Sequence, residues 1–225
     1  MSADLIKKNL DLINSELPSS VRLVAVSKFK PIEDVAAAYD AGQRTFAESR
    51  PQELKMKAES LPTDIKWHFI GHLQTNKIKM VVPYVELIHS VDSEKLLIEI
   101  EKYCLNNNLY CNVLLELHIA SEETKQGFSC DEVIALLDSV AGQLKRVKIC
   151  GLMGMASFTD DESLIRREFA SLNSIFDLIK SKGYPFLQDF KIKSYGMTND
   201  YRIAVEVGSN MVRIGTAIFG ERNYQ

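Results

Sequence analysis

The chain has 225 residues, 46% of them apolar and 25% charged, the balance of an ordinary soluble globular protein with enough chain for one sizeable core. A net charge of −3 gives no electrostatic basis for binding nucleic acid or an anionic membrane, and no apolar run is long enough to span a bilayer. The four cysteines, Cys104, Cys111, Cys130 and Cys150, form neither a CxxC pair nor a metal-ligand spacing, so free thiols in a reducing cytoplasm are expected.

The chain opens on an amphipathic helix capped by Ser2 or Asp4, with no secretory h-region. A strand at 23–27 leads to a helix over 32–41 with Gly42 as its C-cap. A short strand at 44–47 leads to a helix that Pro51 opens and that ends near Leu61-Pro62. A strand at 67–71 precedes a helix running through Lys77 and stopping before Pro83. A strand at 87–90 leads to a helix over 93–106, capped by Asp92 or Ser93. The clearest strand, 112–119, is followed by a polar loop over 120–129 and a helix over 131–144. The strand at 147–153 leads to a long helix over 161–182, stopped by Gly183-Tyr184-Pro185. A strand at 191–197 leads to a helix over 200–207 ending at Gly208, and a strand at 211–214 closes the series.

Strict alternation of strand and helix implies a parallel sheet covered by helices, and no linker divides the chain, so one domain over 1–225 is expected. Eight units fit a single (β/α)8 TIM-type barrel with an extra N-terminal helix. A doubly wound open sheet is the alternative that local pattern leaves open. Either way, function belongs at the carboxyl ends of the strands. In a closed barrel the first and last strands are neighbours, which sets Lys28 beside Arg213-Ile214-Gly215-Thr216; an open sheet carries no such requirement.

Lys28 stands at the end of the apolar run Leu23-Val24-Ala25-Val26-Ser27. An amine partly desolvated there has a lowered pKa and is nucleophilic towards carbonyls; a lysine that snorkels to solvent is the plainer reading. At the other end of the chain, Gly215 and Thr216 follow a strand, where backbone N–H groups, a helix start and a hydroxyl can meet a phosphate, although no P-loop and no GxGxxG is present. The other strand ends offer Glu48 and Ser49, then His68, Gly71 and His72, then Glu116 and His118, then Met153 and Met155, then Ser194, Tyr195, Met197 and Thr198. His68 and His72 have no third ligand at a suitable spacing, so no metal site is expected. The methionines read as core or pocket packing. Glu116 and His118 share a strand face, which suits a buried hydrogen-bonded member. Arg213 inside an apolar strand is costly unless paired. Gly-x-Ser-x-Gly is absent, so a serine hydrolase has no support.

Five segments, in order, carry a resemblance: Leu23-Val24-Ala25-Val26-Ser27-Lys28, Trp67-His68-Phe69-Ile70-Gly71-His72-Leu73-Gln74-Thr75-Asn76-Lys77, Gly151-Leu152-Met153, Tyr195-Gly196-Met197-Thr198-Asn199-Asp200, and Val212-Arg213-Ile214-Gly215-Thr216-Ala217-Ile218-Phe219-Gly220. Together they resemble the pyridoxal-phosphate homeostasis proteins, stand-alone relatives of the alanine racemase N-terminal barrel. The resemblance implies a barrel that binds pyridoxal 5′-phosphate (PLP). Lys28 would form the internal aldimine and Arg213 would face the pyridine nitrogen. An arginine is always charged, which would leave that nitrogen unprotonated and weaken the ring as an electron sink. Gly215 and Thr216 would hold the phosphate through backbone N–H groups, with Thr198 where the family usually has a phosphate-binding serine, and Ser194 and Met197 would line the pocket. One segment departs from the family. Ala47-Glu48-Ser49-Arg50-Pro51-Gln52-Glu53 stands where Gly-Glu-Asn-Tyr-Val-Gln-Glu is usual, so Ser49 replaces an asparagine near the ring and Arg50 a tyrosine. Ser49 offers fewer hydrogen bonds than asparagine, and weaker retention of the cofactor is expected.

Alanine racemases add a C-terminal β-domain whose tyrosine supplies a second catalytic base, and this sequence stops a few residues after Gly220. Proton transfer on both faces of a bound substrate needs two groups. The expectation is therefore a PLP-binding protein in PLP (vitamin B6) homeostasis, with little or no catalysis and no catalytic residue assigned. The alternative is a weak amino-acid racemase or other PLP enzyme using Tyr195 or His72; a phosphosugar-binding barrel has only fold analogy behind it. PLP, amino acids and PLP-recipient enzymes are the expected partners of a monomer.

Overall fold

A computed structural model describes residues 1–120 and 126–221. Among these, eight parallel strands close into a barrel in sequence order: β1 (Arg22–Val26), β2 (Thr45–Glu48), β3 (Lys66–Phe69), β4 (Val85–Val91), β5 (Cys111–Leu117), β6 (Val147–Gly154), β7 (Ile192–Ser194) and β8 (Met211–Ile214). The helices α1 (Ala3–Glu16), α2 (Ile32–Asp40), α3 (Pro51–Ser60), α4 (Glu94–Asn107), α5 (Cys130–Ser139), α6 (Glu162–Ser181), α7 (Tyr201–Val207) and α8 (Thr216–Phe219) accompany it. The closing seam is β1 against β8, with Val24 opposite Arg213 and Ala25 opposite Ile214. That pairing decides for the barrel over the open sheet.

Two apolar layers follow from the period of two along each strand. Val24, Val26, Ala47, Leu87, Leu114, Met153 and Met211 fill the inside of the barrel. Outward-facing residues such as Leu23, Ala25, Phe46, Val113 and Val212 pack beneath the helices. α1 joins that outer layer through Ile6, Leu10 and Ile13, one helical stripe, and lies beside α2 and α8. Ser2 caps it by accepting the Leu5 N–H.

Several element bounds differ from the sequence reading. The helix expected between 71 and Pro83 is two 3₁₀ turns, Thr75–Met80 and Val82–Tyr84; Pro83 has no N–H to donate to an α-helical ladder, and its ring would clash with the turn before it. α5 stops at Ser139 and a short 3₁₀ turn, Ala141–Gln143, replaces its last stretch. β7 is only three residues long; the chain bends at Gly196 (φ 99°), whose carbonyl accepts the Arg213 N–H. Of the loop expected over 120–129, residues 121–125 lie outside the described residues.

Candidate cofactor site

The carboxyl ends of the strands surround a cavity of about 360 Å³, inside the range of roughly 300–1,000 Å³ typical of small-ligand sites. Val26, Ile70, Met153 and Met155 give it apolar walls, and Lys28, Thr198, Asp200, Arg213, Gly215 and Thr216 give it polar ones. A larger, shallower hollow of about 700 Å³, between Met1, Phe29, Pro31 and Gly220, has neither Lys28 nor Arg213 in its wall.

The β1–β8 seam brings Lys28 and Arg213 into one wall, although most of the chain separates them. Gly215 lets β8 pass close to β1: a Cβ there would stand 3.0 Å from the Val26 carbonyl oxygen. Thr216 and Ala217 open a new turn, so their N–H groups have no carbonyl behind them in that turn. Across the cavity the Met197 N–H donates to Asp200 Oδ1 (2.6 Å), which fixes the loop carrying Thr198. Asn199, Asp200 and Ser157 line the cavity without having been singled out as site residues; the first two lie in the Thr198-Asn199-Asp200 motif, which was their signal.

Arg213 is buried, and its guanidinium is held by protein acceptors. Nη1 donates to the carbonyl oxygen (2.7 Å) and hydroxyl (2.8 Å) of Ser194, and Nη2 to the Gly154 carbonyl (3.1 Å). Burial pulls its pKa down to about 10, against the support of the Glu116 and Asp200 carboxylates, so it is cationic at neutral pH. Glu116, also inside the barrel, is pushed up to about 7 by desolvation and by Asp92, with Arg213 opposing.

Two expected site residues lie elsewhere. Ser194 is wholly buried beneath Arg213 and does not line the cavity, because its inward-facing position on β7 is one layer below the mouth. Ser49 is also outside the cavity wall. It turns off β2 with its carbonyl packed on Gly71, where a Cβ would come within 2.1 Å of that oxygen. The barrel interior instead holds a residue the sequence reading passed over, His89. Its Nδ1 is 3.0 Å from Ser194 Oγ and its Nε2 is 2.9 Å from His68 Nδ1. Its spacing of two from Leu87, which fills the inside of the barrel, was a legible sign that His89 faces inward. His68 and His72 do not meet: His72 is at the surface, 3.0 Å from Asp92 Oδ2. Tyr195 faces the helical layer, where its hydroxyl donates to Asn173 Oδ1 (2.9 Å) and burial raises its pKa to about 12.

Residues 1–223 match the family model described as alanine racemase, N-terminal domain. The closed barrel is thus one of the alanine racemase N-terminal class. The pyridoxal phosphate homeostasis protein of Homo sapiens is 40% identical over 214 residues, 90% of this chain and 77% of that protein. That of Synechocystis sp. is 39% identical over 212 residues, 93% and 95% of the two chains. The chain belongs to the pyridoxal phosphate homeostasis protein family. The solved structure of PipY from Synechococcus elongatus with PLP bound matches with a TM-score of 0.87 at 32% identity, covering 96% of this chain and 100% of that one. An alanine racemase from E. faecalis shares the fold (TM-score 0.76, 16% identity), and this chain spans 59% of its length.

Proposed function

We propose that the chain binds PLP covalently through Lys28 and serves to hold and release it in the cell, with little or no catalysis. The observation that carries this reading is the seating of Lys28 and Arg213 in one largely apolar cavity. PLP supplies an aldehyde that condenses with a primary amine with loss of water. The residues present suit that group. Lys28 offers the amine. Arg213, fixed by Ser194 and Gly154, offers a permanent cation where the ring nitrogen would lie. Thr198, Gly215 and Thr216 offer hydroxyl and backbone donors for a phosphate.

The weak-racemase alternative finds neither of its two candidate bases, Tyr195 and His72, in the cavity wall. Tyr195 is committed to Asn173 outside the cavity, and its raised pKa disfavours a phenolate at neutral pH. His72 is paired with Asp92 away from the lining. The rest of the reading is a single barrel domain acting as a cytoplasmic monomer that gives PLP to recipient enzymes, with amino acids competing for the aldehyde. Support for the compartment comes from four cysteines that form no disulfide, and no helix among the described residues is long and apolar enough to cross a membrane.

The test is titration with PLP, borohydride reduction and peptide mapping of the wild type and Lys28→Ala. A visible band that reduction fixes on Lys28, and that the variant lacks, is expected. No band, or label spread over surface lysines, would overturn the reading. Racemisation of amino acids that disappears with Lys28→Ala would overturn the non-catalytic part.

A further inference from the structure

We propose that Lys57 is a positioning residue for Lys28: it grips the main chain on both sides of Lys28 and so aims the amine into the cavity. The proposal rests on the PLP reading above. Lys57 belongs to α3, yet its side chain is completely buried between that helix and the outer face of β1 and β2. Its ammonium donates to the Ser27 carbonyl, to Glu48 Oε1 and to Glu53 Oε1, each at 2.8 Å, which uses all three of its hydrogens. Ser27 Oγ donates to the same Glu48 oxygen (2.6 Å). On the other side, Glu53 Oε1 accepts the Phe29 N–H (2.8 Å). Ser27 and Phe29 are therefore both tied to one ammonium, and Lys28 is the residue between them.

The backbone there needs a grip. Phe29 has φ 64°, the left-handed region that a residue with a bulky side chain adopts at a cost. The chain also turns at once, with the Lys30 N–H donating back to the Ser27 carbonyl (3.0 Å). Stability is a weak reason for charges at this place, since buried ion pairs are often no better than apolar residues of the same volume. The cluster is not even fully satisfied: Glu48 Oε2 is buried with no hydrogen-bond partner. What the charges do achieve is a fixed direction for the residue at the end of β1.

Pyridoxamine 5′-phosphate separates this role from a merely structural one. It has the ring and phosphate of PLP and no aldehyde, so it reads the cavity without the Lys28 amine. Lys57→Met is compared with wild type in the full chain. The pair Glu48→Gln with Lys57→Met, which leaves one fewer buried charge unpaired, serves where the single variant does not fold. PLP affinity is expected to fall about 10- to 100-fold, the usual penalty for a misplaced reacting group. Affinity for pyridoxamine 5′-phosphate is expected to stay within about two-fold. Equal losses for both ligands, or no loss for either, overturn the proposal. Failure of the wild type to give a borohydride-fixed adduct on Lys28 overturns the PLP reading and this proposal with it, and is seen before any variant is made.

Discussion

One nitrogen of Arg213, Nη1, donates to both oxygens of Ser194, the carbonyl at 2.7 Å and the hydroxyl at 2.8 Å. An arginine only donates, so the Ser194 hydroxyl accepts from it and keeps its own hydrogen available for His89 Nδ1, 3.0 Å away. Ser194 thus links the cation at the cavity to the polar column inside the barrel. Ser194→Ala keeps the carbonyl acceptor but strands His89 Nδ1 in a buried site. The expected cost is about 1–3 kcal/mol of unfolding free energy in urea melts, the penalty for an unsatisfied buried acceptor. Unchanged stability would mean that the hydroxyl contributes no net bond.

The direction of that column fixes two tautomers. With Nδ1 accepting from Ser194, neutral His89 carries its proton on Nε2 and donates to His68 Nδ1 (2.9 Å). His68 then carries its own proton on Nε2, the nitrogen facing the Glu86 carboxylate at 3.9 Å. Burial lowers both pKa values, that of His89 well below 6.5 with further lowering from His68 and Arg213; Glu86 partly offsets the fall for His68. Nitrogen-15 spectra are expected to show both rings neutral, with hydrogen on Nε2, at pH 6.5. An imidazolium signal from His89 at that pH, or a proton on its Nδ1, would reverse the column.

Ser49 is the clearest case where the resemblance and the structure part. The family's asparagine suggested a lost contact with the cofactor ring, but Ser49 lies outside the cavity wall with its backbone against Gly71. Ser49→Asn is therefore expected to change PLP affinity by no more than about two-fold, as for a substitution away from the site. A large gain in affinity would show that the longer side chain reaches the ring after all.

The fold was legible because alternating strands and helices leave few arrangements, and the ends of the chain carried the most useful signal: Lys28 and Arg213 meet only if β1 pairs with β8. The cavity's polar residues were legible where they sit at strand ends. Two kinds of residue were not. Ser194 and His89 act from a layer below the mouth, and a period of two shows which face a residue takes without showing its depth. Lys57 reads as a solvated lysine on a polar helix; only its spacing from Leu54 and Leu61 hints that it lies on the buried stripe, and its partners come from three separate segments. The 3₁₀ turns before β4 were misread because a local apolar pattern cannot tell a short buried helix from two tight turns.

The pH dependence of stability should bear the mark of Glu116. Desolvation inside the barrel and the nearby Asp92 raise its pKa to about 7, with Arg213 pulling the other way. A carboxyl whose pKa is higher folded than unfolded holds its proton more tightly in the folded state. It favours folding fully below the unfolded value near 4.5, and that contribution is lost as pH rises through about 7. Glu48, raised to about 7 by burial and by Glu53 against the pull of Lys57, acts in the same sense. His68 and His89, whose pKa values are lowered, act in the opposite sense and remove stability as pH falls below about 6.5. Glu116→Gln isolates one group, because glutamine mimics the protonated acid at every pH. Its Tm is expected to lie near that of wild type at pH 5 and above it at pH 8, where the wild-type carboxylate is ionised in a poorly solvated place. A Tm difference that is the same at both values would show that Glu116 titrates in the folded chain as it does in the unfolded one, and that Arg213 fully offsets its burial.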